Sequence, residues 1–335
     1  MLRGLVMRST GSRYRVRGED GTVHDCVAKG NLRVKGYTST NPIAVGDRVM
    51  FEPVTDTGTA NERVGSIVEL LDRKNYLVRR SVNLSHHMSV IAANIDQLLL
   101  MATVARPRTS FGFIDRFLVT AEAYQVPSIL VFNKVDDLDE GEEQLLEEYE
   151  RVYRVAGYPM LRTSAETGVG VDGVKELLAG KVTLLAGHSG VGKSTLINTI
   201  DPLLDLRTNE VSWASDKGQH TTTFAEMFEL NTANGHWPMA IGSVSPQPAA
   251  GTFIIDTPGV KGFGLVDMSA EEIVDQFPEM LALKSECRFG DCKHMEEPGC
   301  AVKRALEDGR VPESRYTSYI DMVHGIDDTG PYRLD

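Results

Sequence analysis

Over the first 80 residues, apolar and polar positions alternate in short runs, as in Arg13-Tyr14-Arg15-Val16-Arg17 and Asp47-Arg48-Val49-Met50-Phe51-Glu52. Asp20-Gly21, Gly30-Asn31 and Asn41-Pro42 break the runs at regular spacing. This pattern predicts a small all-β barrel; an OB-fold leads, and composition does not separate it from an SH3-like barrel. From about residue 90 the period changes. Gln97 to Val104 is almost wholly apolar, as a strand buried on both faces should be. An amphipathic stretch from Ile114 to Tyr124, a second apolar run from Ser128 to Phe132, an acidic helix at about 140–155 and a strand near Met160-Leu161-Arg162 follow. Lys181 to Ala186 reads as another buried strand, and a helix begins at Lys193. Such alternation predicts a parallel sheet covered by helices on both faces. Residues 231–250, rich in Gly, Pro, Ser and Ala, read as a long loop, and beyond 268 the chain reads as helical. The expectation is a multidomain α/β protein: an OB-like β-barrel over 1–80, an α/β domain over 90–265 and a small helical domain over 268–335.

Composition narrows this picture. No apolar run reaches membrane-spanning length, and Met1-Leu2-Arg3-Gly4-Leu5-Val6 lacks the apolar stretch of a signal peptide, so a cytoplasmic protein without a membrane partner is expected. The net charge of −12 is unevenly placed: residues 1–80 hold 14 of the 35 basic and 9 of the 47 acidic residues. A basic head on an acidic body suits a nucleic-acid partner at one end, or is a fluctuation of a solvated surface. Three of the four cysteines fall within 287–300, close to a histidine, which points to a metal rather than to disulfides. Cys26 stands alone and reads as a small core residue.

Gly187-His188-Ser189-Gly190-Val191-Gly192-Lys193-Ser194-Thr195 contains the phosphate-loop pattern G-x-x-x-x-G-K-[ST], with an apolar strand before it and a helix after it. The glycines let backbone N–H groups converge on phosphate oxygens, Lys193 neutralises the β- and γ-phosphates, and the Ser194 hydroxyl is placed for Mg²⁺. The loop alone does not choose between ATP and GTP.

Asn133-Lys134-Val135-Asp136 chooses the base. It follows the strand ending at Phe132, at the carboxyl edge where open α/β sheets bind ligands. Asp136 can accept from both N1–H and the 2-amino group of guanine, and adenine would leave that carboxylate unpaired. Asn133 is expected on the other edge of the base, with the Lys134 stem over its face. Thr163-Ser164-Ala165, after the next strand, can supply an N–H to guanine O6. Asp256-Thr257-Pro258-Gly259 supplies an aspartate for water-mediated Mg²⁺ binding and, at Gly259, an N–H for the γ-phosphate. Between these lies Gly218-Gln219-His220-Thr221-Thr222-Thr223, where Thr222 is the expected threonine of the Mg²⁺ shell.

The base-reading elements precede the phosphate elements, the reverse of an ordinary GTPase. A site is a constellation in space, so termini that lie close together can be joined and the chain reopened elsewhere. With this permutation, the N-terminal barrel and the C-terminal cysteine cluster, the chain resembles the RsgA (YjeQ) family of small-ribosomal-subunit biogenesis GTPases. The resemblance covers nearly the whole chain and is carried by Leu98 to Thr103, Gly112-Phe113-Ile114-Asp115-Arg116-Phe117, Asn133 to Asp136, Gly187 to Ser194, His220-Thr221-Thr222-Thr223 and Asp256 to Gly259. It implies GTP hydrolysis late in small-subunit assembly, stimulated by the particle, with its rRNA as partner and GTP or GDP with Mg²⁺ as ligands. A monomer is expected. The loop at 231–250 is longer than the resemblance leads one to expect.

Val260 stands where Ras-type enzymes place the glutamine that orients water, so another polar group must act, and His220 is the candidate catalytic residue. Cys287-x₄-Cys292-x-His294-x₅-Cys300 offers three thiolates and an imidazole, a donor set for one structural, tetrahedral Zn²⁺, with reduced cysteines in a small helical core as the alternative. Arg33, Lys35, Arg73, Lys74, Arg79 and Arg80 are the candidate RNA contacts of the basic head. Near the cysteines, Lys293, Lys303, Arg304, Arg310 and Arg315 either meet RNA or are simply solvated.

Overall fold

The computed structural model describes residues 1–29, 32, 42–53, 64–80, 88–204, 206, 225–231, 251–256 and 268–325. The strands are β1 (Leu2–Ser9), β2 (Tyr14–Gly18), β3 (Val23–Ala28), β4 (Arg48–Glu52), β5 (Gly65–Leu70), β6 (Tyr76–Arg80), β7 (Met88–Ala93), β8 (Gln97–Ala102), β9 (Ser128–Phe132), β10 (Met160–Arg162), β11 (Val182–Ala186), β12 (Glu226–Leu230) and β13 (Thr252–Asp256). The helices are α1 (Phe111–Ala123), α2 (Glu140–Val155), α3 (Val171–Leu178), α4 (Lys193–Ile200), α5 (Ala270–Val274), α6 (Pro278–Leu281), α7 (Ala301–Glu307) and α8 (Glu313–Val323). The chain divides into two compact units: Met1–Gln97 with Glu176–Leu185 and Asn209–Gly262, and Leu98–Lys175 with Ala186–Thr208 and Phe263–Asp335.

In the first unit, β1 pairs antiparallel with both β2 and β4, β2 with β3, and β4 with β5, while β3 runs parallel to β5. The five strands therefore close in the order 1-2-3-5-4-1, the Greek-key arrangement of an OB-fold, which decides the alternative left open by composition. The alternation explains the closure. Tyr14 and Val16 point inward with Val6, Cys26, Ile43, Val49, Phe51 and Ile67 to form the core, and Arg15 points out. Cys26 is thus a core residue, as expected. A hairpin of β6 and β7 follows the barrel. In the same unit β11 runs parallel to β13, β12 runs antiparallel to β13, and β1 meets β12 with Arg8 opposite Glu226. Arg17 Nη2 donates to Glu229 Oε1 at 3.1 Å across this join.

The second unit holds β8, β9 and β10 as parallel neighbours. Every residue of β8 and β9 is buried, as their unbroken apolar runs predict. Helix α1 starts where Ser110 accepts from the Phe113 N–H, and α2 starts with a full capping box between Asp139 and Glu142. The C-terminal helices pack with Val119 of α1 around Phe277, Met280, Val302 and Tyr319. At the centre of this packing sits Arg315 of α8, with no solvent exposure. Its Nη1 donates to Asp115 Oδ1 at 2.7 Å, its Nε to Glu279 Oε1 at 2.7 Å, and its guanidinium stacks 4.5 Å from the Phe277 ring centroid. Among the described residues, no helix is long and apolar enough to cross a membrane.

Candidate nucleotide site and metal cluster

Strand β11 runs into the phosphate loop, and the loop has the backbone that its glycines permit. Gly187, Gly190 and Gly192 have φ of +141°, +85° and +96°. At two of them space also forbids a side chain: a Cβ on Gly187 would lie 2.5 Å from the Met101 carbonyl oxygen, and one on Gly192 would lie 2.3 Å from Asn133 Nδ2. Lys193, the first residue of α4, folds its ammonium back onto the carbonyls of Gly187 (2.7 Å) and His188 (2.9 Å). Ser194 and Thr195 follow in the first turn of α4.

Asn133 stands between this loop and the base-reading segment. Its Nδ2 donates to the Val191 carbonyl at 2.8 Å, and its Oδ1 accepts from Thr163 Oγ1 at 3.1 Å and from the Ala165 N–H at 3.2 Å. Thr163, Ser164 and Ala165 are all buried. Three of the groups assigned to nucleotide binding are therefore joined through one amide, which keeps one Nδ2 hydrogen for a ligand. Lys134 has left-handed backbone (φ +65°) and donates its ammonium to the Arg106 carbonyl at 2.7 Å. Asp136 follows on an exposed 3-10 turn, Val135–Asp137.

His188 sits in the phosphate loop, yet its ring is turned inward. Nδ1 lies 2.9 Å from the Ser189 carbonyl and Nε2 lies 2.7 Å from Thr109 Oγ1, whose oxygen also accepts from the Thr103 N–H. Nδ1 therefore donates, and Nε2 accepts from the threonine hydroxyl. Burial lowers the His188 pKa and keeps the ring neutral, with the Lys193 charge acting in the same direction. The sequence reading assigned His188 only as a loop member; the segment 103–110 that holds it was not singled out, because nothing in its composition marks it.

Asp256 ends β13 in register with Leu185 of β11. His220, Thr222 and Gly259, with the rest of 218–223 and 257–260, lie outside the described residues, as do 232–250 of the long loop.

The cysteine cluster comes together as its spacing suggested. One donor atom from each of Cys287, Cys292, His294 and Cys300 lies within 4.8 Å of the others. His294 presents Nδ1, which is 3.5 Å from Cys287 Sγ and 3.3 Å from Cys300 Sγ. The Ala301 N–H points at Cys287 Sγ (3.3 Å), and the Lys303 N–H, in the first turn of α7, points at Cys300 Sγ (3.4 Å). Backbone donors aimed at sulfur favour thiolates. Burial pushes the Cys292 thiol up to about 12, so a cation is needed to hold it ionised. These residues fit a Cys3His metal site.

The candidate RNA contacts divide. The Arg73 guanidinium lies against the buried Asp47, with Nε to Oδ1 and Nη2 to Oδ2 both at 2.7 Å, and also donates to the Pro42 carbonyl. A guanidinium so engaged braces the barrel. Lys74 is exposed and paired with Asp96 at 3.0 Å. Arg79 and Arg80 lie on β6 opposite Ser89 and Met88, and their side chains are outside the description; Arg33 and Lys35 are outside it altogether. The barrel also exposes Arg3, Arg15 and Arg48, of which Arg15 lies 3.9 Å from Asp25 and 4.0 Å from Glu226. Near the cysteines, Lys293 pairs with Glu271, Lys303 donates to the Met295 carbonyl, Arg310 pairs with Asp308, and Arg304 is exposed. Arg315, expected at the surface, is instead fully buried, because two carboxylates and an aromatic ring await it inside.

A phosphate loop, a guanine-reading tetrapeptide tied to it, and the reversed order of the two along the chain define a circularly permuted P-loop GTPase. The RsgA GTPase family model matches residues 70–266, and the RsgA N-terminal domain model matches residues 3–60. The chain belongs to the RsgA GTPase family and is a GTP-hydrolysing enzyme. It is 49% identical over 332 residues to the small ribosomal subunit biogenesis GTPase RsgA of Bacteroides fragilis, covering 99% of both chains. It is 47% identical to the protein of the same name from Christiangramia forsetii, over 100% of this chain and 99% of that one. Among solved structures it is similar to YjeQ from Thermotoga maritima, with a TM-score of 0.73, 34% identity and coverage of 97% and 98%. It is also similar to YloQ, described as a circularly permuted GTPase, with a TM-score of 0.68, 27% identity and coverage of 100% and 97%. GTPases of this kind work with Mg²⁺ at the nucleotide.

Proposed function

We propose that the protein hydrolyses GTP during maturation of the small ribosomal subunit, binding the particle's rRNA and being stimulated by it. The single observation that carries the nucleotide half of this reading is the Asn133 side chain, which joins Val191 of the phosphate loop to Thr163 and Ala165. The names of the relatives support the ribosomal half. We assign three domains, 1–80, 90–265 and 268–335, with the barrel and the metal domain as the parts that meet RNA. The protein acts in the cytoplasm as a monomer.

Within the site, Asp136 takes N1–H and the 2-amino group of guanine, the Lys134 stem covers the base, and the free Nδ2 hydrogen of Asn133 reaches its other edge. The backbone N–H of Ala165 passes from Asn133 Oδ1 to guanine O6. The loop amides from Gly187 to Lys193 hold the phosphates, and the Lys193 ammonium leaves the Gly187 and His188 carbonyls for them. Ser194, Thr222 and Asp256 would hold Mg²⁺, the last through water, and the ion would supply charge neutralisation at the phosphates. Gly259 donates to the γ-phosphate, and His220 orients or deprotonates the attacking water. Cys287, Cys292, His294 and Cys300 hold one structural Zn²⁺.

The test is GTP turnover by the purified chain with and without purified small ribosomal subunits. Hydrolysis that rises with the particle supports the reading; turnover indifferent to it removes the ribosomal half and leaves a GTPase with another partner.

A further inference from the structure

Residues 103–110, between β8 and α1, touch both nucleotide motifs. Pro107 Cδ lies 3.3 Å from where a Cβ on Gly190 would stand, and Thr109 holds the His188 ring. Arg106 faces the Lys134–Asp137 turn and the start of α2 with its carbonyl and its guanidinium. Its carbonyl accepts from Lys134 Nζ at 2.7 Å. Its Nε donates to Asp137 Oδ2 at 2.7 Å, and Nη1 and Nη2 fork onto Glu142 Oε1 and Oε2 at 2.7 and 2.6 Å. Nη2 also meets the Asp137 carbonyl.

Asp137 is the neighbour of Asp136, and Glu142 closes the capping box of α2. One guanidinium thus joins the turn that carries the guanine-reading carboxylate to the helix that follows it, while the same residue's carbonyl fixes the end of Lys134. Arg106 and Lys134 both have left-handed backbone, φ +44° and +65°, so this pairing holds two residues in a conformation rarely adopted without support. A single exposed ion pair would do little. A bidentate fork with two further acceptors on Asp137, its carboxylate and its backbone carbonyl, is a different object, because it fixes direction as well as charge.

We infer that Arg106 is a positioning residue for guanine recognition, setting Asp136 through the Asp137–Glu142 grip and Lys134 through its carbonyl. The inference rests on the GTPase reading above. It gives Arg106 no contact with the nucleotide.

Affinities of full-length wild type, Arg106→Ala and Arg106→Lys for GDP, IDP and ADP, measured by titration calorimetry, test it. Hypoxanthine lacks the 2-amino group, so IDP offers Asp136 one hydrogen bond where GDP offers two. If Arg106 acts through Asp136, Arg106→Ala weakens GDP by about fivefold and IDP by less than about twofold, the scale of a modest ion-pair network. Arg106→Lys keeps the charge without the fork and loses most of the same discrimination. Thermal melting of both variants shows whether they fold, and Arg106→Lys decides if Arg106→Ala does not. Equal losses for GDP and IDP, or no loss in a folded variant, overturn the inference. A wild-type protein with no preference for GDP over ADP overturns the GTPase reading itself, a separate result.

Discussion

Asn133 Nδ2 occupies the space that a side chain on Gly192 would need: it donates to the Val191 carbonyl at 2.8 Å and lies 2.3 Å from the Cβ position of Gly192. The residue that opens the guanine-reading motif is thus packed onto the closing turn of the phosphate loop. The two segments are joined through one side chain.

Gly192→Ala tests that contact. The methyl group would displace the Asn133 amide, and alanine at φ +96° adds backbone strain of roughly 1–3 kcal/mol. The expected result is a GDP affinity about tenfold weaker or worse in a chain that still folds, read by titration with a fluorescent nucleotide. An affinity unchanged within error would mean that the loop tolerates the collision.

How much of this was legible in the chain depends on locality. The phosphate loop and the cysteine cluster are contiguous, so spacing alone carries their geometry. Tyr14-Arg15-Val16 showed which face of β2 is the barrel core, while the strand order 1-2-3-5-4-1, with β3 parallel to β5, needed coordinates because pairing is a non-local choice. The pairings of Arg73 and Arg315 were illegible for one reason. A lone basic residue in a sequence looks solvated, and only the fold brings Asp47 to the first and Asp115 with Glu279 to the second. The hold of 103–110 on His188 and Lys134 was equally hidden, since it works largely through carbonyls and a threonine hydroxyl.

Arg315→Met leaves two carboxylates buried without their cation and should cost about 3–5 kcal/mol, measured by urea unfolding. Burial already raises the Asp115 carboxyl above its ordinary range, with the Arg315 charge pulling it partly back. In the variant that restraint is gone. A carboxyl whose folded pKa is raised takes a proton on folding, so its contribution is full below the unfolded carboxylate range and is lost as pH climbs through the raised value. The deficit of Arg315→Met should accordingly shrink in mild acid and be largest at neutral pH. A deficit of constant size across that range would show that the charge of Asp115 is not its cause.

The metal cluster predicts its own stoichiometry. Elemental analysis of purified protein should find close to one zinc per chain, and Cys292→Ser should abolish it. Loss of the metal frees α7 and the loop before it, and the melting temperature should drop by roughly 5–10 °C, about 2–3 kcal/mol. Full thermal stability in a zinc-free chain would assign the cysteines to plain core packing.

His220→Ala separates chemistry from binding. Particle-stimulated turnover should fall by about 10²-fold, with GDP affinity within about twofold of wild type, as loss of a general base or water-orienting group predicts. Undiminished stimulated turnover would send the search to another residue of the segment 218–223.

The ion pair of Asp115 and Arg315 spans 200 residues of chain. The acid on α1 is therefore matched only once a helix distant in sequence has docked, a closure that local folding around α1 does not supply. A chain cut before residue 315 would keep every nucleotide motif yet lack the cation that Asp115 folds against.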